Sequence, residues 1–417
     1  MRKIICGILL MVCMVIMMTG CGSKMEKIAD FGTYAGSISD ITVPDDVKIV
    51  ALGEATHGNN EFQQLKLDVF QQLVETTDIR AFVLEGDFGG CALINAYIQG
   101  GEGELEDITK LLGYRIYKTD HMKNLVQWMR DYNATVEESE RVRIYGCDMQ
   151  FDMRCITLLK SYFENVDAEN AKMYVEQFDT LFGTDEDAYD SNDYDKIIAF
   201  LDEMKTDLER NKENYIEKTS EHDYAYAMCE VENICYYMEY REKKNYNGNF
   251  RDTCMANNVK WVVEQEEKLH QSGIMLSGHN GHITKNISSA NTSLGNQLSE
   301  TFGEAYFAIG TDYYNTECNV PTKDGRKNVT LCSDDPLAYQ VGDLDENICY
   351  LDFEKARQSQ ELSSLLDQKI STGSLGESYS PIMKVMKPLC HIYFAPSEMY
   401  DGMIFVYEAT PIEVWED

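Results

Sequence analysis

An acid and an imidazole lie three positions apart in the stretch Gly53-Glu54-Ala55-Thr56-His57-Gly58, directly after the apolar run 49–52. A carboxylate can orient an imidazole ring, and a neutral ring can take a proton from water near pH 7. The apolar run, the glycine and a helical pattern from about Asn60 predict a buried strand, a tight turn and a helix start. Open α/β sheets bind ligands at such strand ends. On this stretch alone, the alternative is that Glu54 and His57 only cap the helix.

Three further apolar runs end in ionisable residues, which indicates a shared site. The runs at 80–84 and 142–145 precede Glu85 and Asp148, and the run at 273–277 precedes His279 and His282. In a mostly parallel sheet the carboxyl ends of these strands lie on one edge, so distant residues converge there. This convergence favours an active site. We therefore expect an α/β fold with a mostly parallel central sheet, flanked by helices.

Hydrophobic periodicity places the remaining elements. Residues 153–246 are acidic, helical in pattern and rich in Tyr and Met, with a break around Asp185–Asp193, and we interpret them as a helical insertion that covers one side of the sheet. Helices are also expected at 60–76, 92–98, twice within 105–133, at 249–270 and at 356–366. Further strands are expected at 305–310, 328–332, 347–352, 390–394 and 403–407, with a hairpin around Lys323-Asp324-Gly325.

The N-terminus has the features of an export signal. Arg2 and Lys3 precede an apolar segment from Ile4 to Met18 that is short for a membrane span, and Met18-Thr19-Gly20-Cys21 resembles a bacterial lipobox. The expected organisation is a lipoprotein signal peptide at 1–20, a lipidated Cys21 with a tether at 21–45, and one domain at 46–417. The protein would then be held on the outer face of the bacterial cell membrane by its lipid alone. A plain signal peptide or an uncleaved anchor remains the alternative.

Composition limits the partners of the chain. Its 417 residues are 44% apolar and 26% charged, as in ordinary globular proteins. Loss of residues 1–20 removes Arg2 and Lys3 and no acid, which changes the formal charge from −34 to −36. So acidic a surface repels nucleic acid and suits a neutral or cationic substrate. The thirteen cysteines contain no C-x-x-C pair, so neither a zinc framework nor a redox motif is indicated.

These motifs, taken in order, resemble the erythromycin esterase family. The resemblance rests on the stretch at 53–58, on Val83-Leu84-Glu85-Gly86 and on His279-Asn280-Gly281-His282, with support from Arg251-Asp252, 255–257 and 400–404. It implies an α/β fold with an added helical portion and hydrolysis of a macrolide lactone. It further implies that His57 is the general base, that Glu54, Glu85 and His279 bind or orient water and substrate, and that His282 is the second histidine of its motif. Where the family has an arginine nine residues after the motif histidine, this chain has Lys66, which cannot form a bidentate pair.

The expected chemistry is hydrolysis of an ester or lactone without a cofactor. The catalytic set is His57, Glu54, Glu85 and His279; a protonated His279 would stabilise the oxyanion or protonate the leaving group, and Lys66 would help to keep His57 neutral. The expected substrate-binding set is His282, Lys66, Asp148, Asn280 and Arg251. A nucleophile elbow, an H-E-x-x-H motif and a P-loop are all absent from the sequence.

Two alternatives stay open. Glu54, His57, Glu85, His279 and His282 are all possible ligands of a divalent metal, which would make the protein a metal-dependent hydrolase. From another class, the chain could be a lipoprotein that binds a ligand without catalysis.

Overall fold

The computed structural model describes residues 25–183, 194–242, 249–269, 271–286, 292–376, 379–384 and 386–416. The expected signal peptide, Cys21 and the break at Asp185–Asp193 lie outside these residues.

The strands are β1 (Ala35–Gly36), β2 (Ile49–Glu54), β3 (Ala81–Asp87), β4 (Arg143–Asp148), β5 (Ile274–His279), β6 (Tyr306–Thr322), β7 (Gly325–Cys332), β8 (Ile348–Asp352), β9 (Ile370–Gly373), β10 (His391–Phe394) and β11 (Gly402–Ala409). The centre of the fold is a nine-stranded sheet in the order β1-β8-β11-β6-β2-β5-β3-β4, with β7 paired to β6. The six strands from β11 to β4 are parallel to one another, whereas β1, β7 and β8 pair antiparallel. The expected α/β fold is therefore confirmed.

Helices cover both faces of this sheet. The helix expected at 60–76 has those bounds, whereas the helix expected at 356–366 is two short helices separated by a turn. The helices are α1 (Phe31–Tyr34), α2 (Asn60–Thr76), α3 (Phe88–Ile98), α4 (Leu105–Lys110), α5 (Asp120–Asn133), α6 (Met153–Val166), α7 (Ala168–Phe182), α8 (Tyr194–Arg210), α9 (Lys212–Lys218), α10 (Glu221–Glu242), α11 (Asn249–Leu269), α12 (Asn280–Ile283), α13 (Leu294–Phe302), α14 (Phe353–Ala356), α15 (Gln360–Leu366) and α16 (Pro396–Met399). Among the described residues, none of the helices is long and apolar enough to cross a bilayer.

The central strands are apolar on both faces because both faces are covered. In β2, Val50 and Leu52 join the core formed with α2, α3 and α5, while Ile49 and Ala51 join the core formed with α11 and α13. A strand buried on both sides has a continuous apolar sequence, which is why these strands were recognisable. The described part of the insertion has a core of its own, built mainly from aromatic and aliphatic side chains of α6, α7, α8 and α10.

The segment expected to be a tether belongs partly to the domain. Phe31 and Ile41 are buried, and β1 pairs with β8 through Ala35 and Gly36. The domain therefore begins before residue 46. The sequence did not indicate this, because isolated apolar residues in a polar segment show neither helical nor strand periodicity.

Candidate active site

Four strand ends bring the expected acids and histidines together. Glu54, Asp148 and His279 end β2, β4 and β5, and Glu85 lies near the end of β3. Glu54 and His279 are register partners on neighbouring parallel strands. The sequence-based expectation of one common edge therefore holds for these residues.

Gly53 leaves room for a clasp between α12 and β6, which the side chain of Asn280 forms. The side chain of Asn280 donates from Nδ2 to the carbonyl of Thr311 (2.6 Å) and accepts from the Thr311 N–H (3.1 Å). A Cβ on Gly53 would lie 2.0 Å from Asn280 Oδ1. Asn280, expected to bind substrate, is instead buried and links the start of α12 to β6 across Gly53.

The turn after β2 is held by its own polar groups. Thr56 Oγ1 accepts from the Gly58 N–H (3.1 Å) and donates to Asn59 Oδ1 (2.5 Å). Gly58 packs against β6, where an added Cβ would lie 2.6 Å from the carbonyl oxygen of Asn319. Helix α2 starts after Asn59 without a side-chain cap. Glu54 and His57 therefore do not cap this helix.

Glu54 lies between the ring of His57 and the ammonium of Lys66. Its Oε2 atom is 3.3 Å from His57 Nδ1 and accepts from Lys66 Nζ at 3.0 Å. Burial would raise the pKa of Glu54, but Lys66 and His57 outweigh it and lower this pKa to about 2. The Oε1 atom of Glu54 is buried and has no hydrogen-bond partner among the described residues, whereas Lys66 bonds the Oε2 atom.

The pKa of His57 is raised. Burial would lower it, and Lys66 lowers it further, but the carboxylates of Glu54 and Glu85 outweigh both. Lys66 therefore lowers the pKa of His57, as expected, but the two carboxylates raise it by more. Since Glu54 lies at Nδ1, the other ring nitrogen, Nε2, is left for a reacting molecule.

Arg251 joins the acids of β3 and β4. Its Nη2 atom donates to Glu85 Oε1 (2.7 Å) and to Asp148 Oδ2 (2.6 Å), and its Nε atom also faces Asp148. Tyr114 donates a short hydrogen bond to the same Asp148 carboxylate. Burial would raise the pKa of Glu85, but His282, Arg251 and the neighbouring His57 hold it well below its usual range.

His279 is a neutral hydrogen-bond donor. Its Nδ1 atom accepts from the Gly281 N–H (3.1 Å), which leaves the proton of the neutral ring on Nε2. Burial and the nearby rings of His57 and His282 lower its pKa to about 3. The expectation of a protonated His279 is therefore corrected. Its Nε2 atom is buried without a partner in the described part of the chain, although the ring lines the cavity described below.

His282 is held by Asp252, which was not in the expected site. Asp252 Oδ1 lies 2.5 Å from His282 Nδ1, and His282 Nε2 lies 3.3 Å from Glu85 Oε1. Burial would lower the pKa of His282, but Glu85 and Asp252 raise it above its usual value. Since each ring nitrogen faces a carboxylate, His282 is oriented on both sides.

These side chains surround a cavity of about 240 Å³. No residue of the described insertion lines this cavity, and Tyr226 of the insertion packs on Phe88 and Trp261. The lining includes five expected residues and five that sequence reasoning missed. It consists of His57, Glu85, Arg251, His279 and His282, with Tyr114, Ile116, Tyr117, Gln150 and Gly376.

Lys66 and Asp148, expected to bind substrate, are buried behind this lining and support it. Among the described residues, no three His, Cys, Asp or Glu side chains are placed to hold a metal ion. Arg251 forms ion pairs with Glu85 and Asp148, and Lys66 forms one with Glu54, so these carboxylates already have cationic partners. The alternative of a metal-dependent hydrolase would need two of these paired carboxylates, Glu54 and Glu85, as ligands.

Known proteins resemble this chain over most of its length. The family model for erythromycin esterase matches residues 74–409. Erythromycin esterase type II of Escherichia coli is 23% identical over 304 residues, which cover 64% of this chain and 70% of that protein. A crystal structure of a Bacillus cereus protein superposes with a TM-score of 0.76 at 22% identity, covering 92% of this chain and 97% of that one. A mutant erythromycin esterase in its open conformation gives 0.64 at 18% identity, covering 89% and 93%.

Proposed function

Because this chain belongs to the erythromycin esterase family, we propose that it is a hydrolase that cleaves an ester or a macrolide-type lactone with His57 as the general base. The observation that carries the proposal is a pair of neighbouring histidine rings in the cavity. The His57 and His279 rings have centroids 5.0 Å apart, and the first is paired with a carboxylate while the second is neutral.

The proposed reaction uses the two free ring nitrogens. His57 Nε2 takes a proton from water, and the resulting hydroxide forms a bond to the acyl carbon. The carbonyl electron pair moves to oxygen, where the N–H of His279 Nε2 stabilises the negative charge. When the carbon–alkoxide bond breaks, the alkoxide takes the proton back from His57, which gives an acid and an alcohol. Glu54 keeps the ring oriented and stabilises its charged form.

The volume and the charge of the cavity limit which substrates it can accept. At about 240 Å³ it lies below the range of roughly 300–1,000 Å³ typical of pockets for drug-sized ligands. It can therefore enclose the reacting ester group, while the remainder of a macrolide would lie outside it. Arg251 brings one positive charge to the two carboxylates of Glu85 and Asp148, so the reacting group is expected not to be an anion.

The test is to incubate the polypeptide from Gly22 onward with erythromycin and with simpler esters and lactones. Hydrolysis is followed as the mass gain of one water. His57→Asn should abolish turnover, and His121→Asn should retain it, because His121 does not line the cavity and its ring bonds Asn60 and Gln64. Equal turnover in the His57→Asn variant would refute the proposal.

The same experiment separates the alternatives. A metal-dependent hydrolase would lose activity in chelator and regain it with added metal, and a water-activating imidazole would not. A ligand-binding protein would show no turnover of any panel member, and its affinity would survive His57→Asn.

We also propose that Cys21 carries a lipid and holds the protein at the outer face of the bacterial membrane. The support is the sequence Met18-Thr19-Gly20-Cys21 after an apolar segment. Labelled fatty acid should be incorporated in bacterial cells producing the full chain, and Cys21→Ala should abolish the incorporation.

A further inference from the structure

Gly376 lies at the mouth of the cavity that holds the two catalytic histidines. It lines this cavity together with His57 and His279. It is also exposed to solvent, whereas the other lining residues of the described chain are buried or half-buried. A residue that belongs both to the lining and to the outer surface marks the place where the two meet. An entrance to the cavity therefore lies beside Gly376.

The fold does not require a glycine at position 376. Elsewhere a collision explains the glycine, as at Gly53, where a Cβ would meet Asn280. Four described glycines would carry a Cβ with no atom within 4 Å, and three of these have a positive φ, which side chains disfavour: Gly100, Gly303 and Gly325. Gly376 is the fourth, and its backbone is outside the left-handed region. The missing side chain therefore leaves open space at the mouth of the cavity, and neither packing nor backbone strain accounts for it.

The backbone that carries Gly376 is attached to the turn that carries His57. The N–H of Leu375 donates to the carbonyl of Ala55 (3.1 Å), and Leu375 forms a parallel bridge with Thr56. The side chain of Leu375 is buried in the core. Since Ala55 and Thr56 directly precede His57, a side chain at position 376 would have a defined position relative to the general base.

Two further backbone hydrogen bonds hold the residues just before Gly376. The N–H of Gly373 donates to Asp312 Oδ2 (2.9 Å), and the N–H of Ser374 donates to the carbonyl of Cys390 (3.0 Å). Successive residues from 373 to 375 are thus each bonded to a different part of the domain. A substrate that met a larger side chain at position 376 would have to break these bonds to push the segment aside.

The substrate has to extend through the mouth of the cavity if it is larger than the cavity. Its reacting group has to lie near His57 and His279, whose ring centroids are 5.0 Å apart. The cavity volume of about 240 Å³ is below the roughly 300–1,000 Å³ of pockets that enclose drug-sized ligands. In a lactone the acyl and alcohol parts are joined in one ring, so a large ring has to pass beside Gly376.

We propose that Gly376 is a specificity-determining residue, because its missing side chain makes room for the part of the substrate that extends out of the cavity. This inference rests on the proposed hydrolysis and narrows its substrate class. The substrates are esters or lactones larger than the cavity, and a small ester that the cavity encloses would gain nothing from the open space at position 376.

The test measures kcat/KM for esters and lactones of increasing size, from ethyl acetate and δ-valerolactone to erythromycin. The polypeptide from Gly22 onward is compared with its Gly376→Leu variant, and the acid released is titrated at constant pH. Gly376→Leu should lower kcat/KM for the largest substrate at least about tenfold more than for the smallest, since a single methylene group in a pocket already changes specificity about 10–200-fold. Gly376→Ala should change this ratio in the same direction but by less, because it adds one carbon.

Ala134→Leu is the control, because Ala134 is exposed and does not line the cavity, and it should keep the size dependence of the parent. Circular dichroism establishes that each variant is folded. An unchanged ratio in Gly376→Leu overturns the inference, and so does an equal loss for all substrates, which would indicate a disturbed turn at His57. A parent that hydrolyses only the small esters overturns the inference and leaves the proposed hydrolysis standing. A parent that hydrolyses none of the compounds overturns both.

Discussion

Substitution of Lys66 by Met should destabilise the fold in a way that depends on pH. Lys66 and Glu54 are each 1% exposed, and their charged atoms are 3.0 Å apart. The pKa of Glu54 is lowered from 4.5 to about 2, mainly by Lys66 and then by His57, against the effect of burial. At about 1.4 kcal/mol per pKa unit, this stabilises the folded state by about 3 kcal/mol at neutral pH. Removal of one partner of a buried ion pair typically costs about 3–5 kcal/mol, which agrees with that value.

The sign of the pH dependence follows from the lowered pKa. A carboxyl whose folded-state pKa is depressed contributes stability above its unfolded pKa of 4.5, and this contribution is lost as the pH falls toward 2. In the variant, the pKa of Glu54 rises and little of this contribution remains to be lost. Only near and below the folded-state pKa of about 2 does the parent also leave a buried ammonium without its carboxylate. The difference between parent and variant should therefore be largest near neutral pH and shrink as acid is added.

The assay is urea unfolding followed by circular dichroism at about pH 7 and about pH 4. Lys110→Met is the matched control, because Lys110 also pairs with two acids but at the surface, and it should leave stability essentially unchanged. The reasoning would be refuted if Lys66→Met resembled this control at neutral pH, or if its destabilisation were the same at both pH values.

Three other expectations concern the cavity. The rate constant kcat/KM should fall as the pH is lowered, with a midpoint above pH 6.5, because the pKa of His57 is raised and only the neutral ring accepts a proton. A rate constant that is constant between about pH 5 and pH 8 would contradict this. His279→Ala should lower kcat about 10²–10³-fold through loss of one oxyanion donor, with the acidic midpoint unchanged; a shifted midpoint with an unchanged kcat would point to another role. Asp252→Asn should lower the pKa of His282, measured by NMR titration, since a neutral amide replaces a carboxylate; an unchanged pKa would show that Glu85 alone raises it.

The sequence predicted the strand-end residues because their signal is local. A run such as Ile49–Leu52 is apolar throughout because both faces of β2 are buried, and the ionisable residue after it is visible in the same stretch. The helix at 60–76 was equally legible from its spacing of apolar residues. What could be inferred, therefore, was the set of buried central strands and the edge at which their ends meet.

The remaining lining depends on contacts that leave no local trace. Tyr114 and Ile116 lie in an irregular segment after a short helix, and Gly376 follows the four-residue strand β9, which was not expected. Asp252 was visible beside Arg251, but its distance from His282 depends on how α11 packs against β4 and α12. The charge state of His279 also escaped prediction, because burial and neighbouring rings set it.

The clasp across Gly53 constrains how this site can change over evolutionary time. Alanine at position 53 would collide with Asn280, so it becomes accessible only after residue 280 has been replaced by a smaller one. Replacement of Asn280 first would leave the backbone groups of Thr311 buried without partners, at a cost of about 1–3 kcal/mol for each. Either substitution alone is expected to destabilise the fold, so the two positions should covary among descendants of this chain. A lineage that departs from glycine at 53 is expected to have lost asparagine at 280 beforehand.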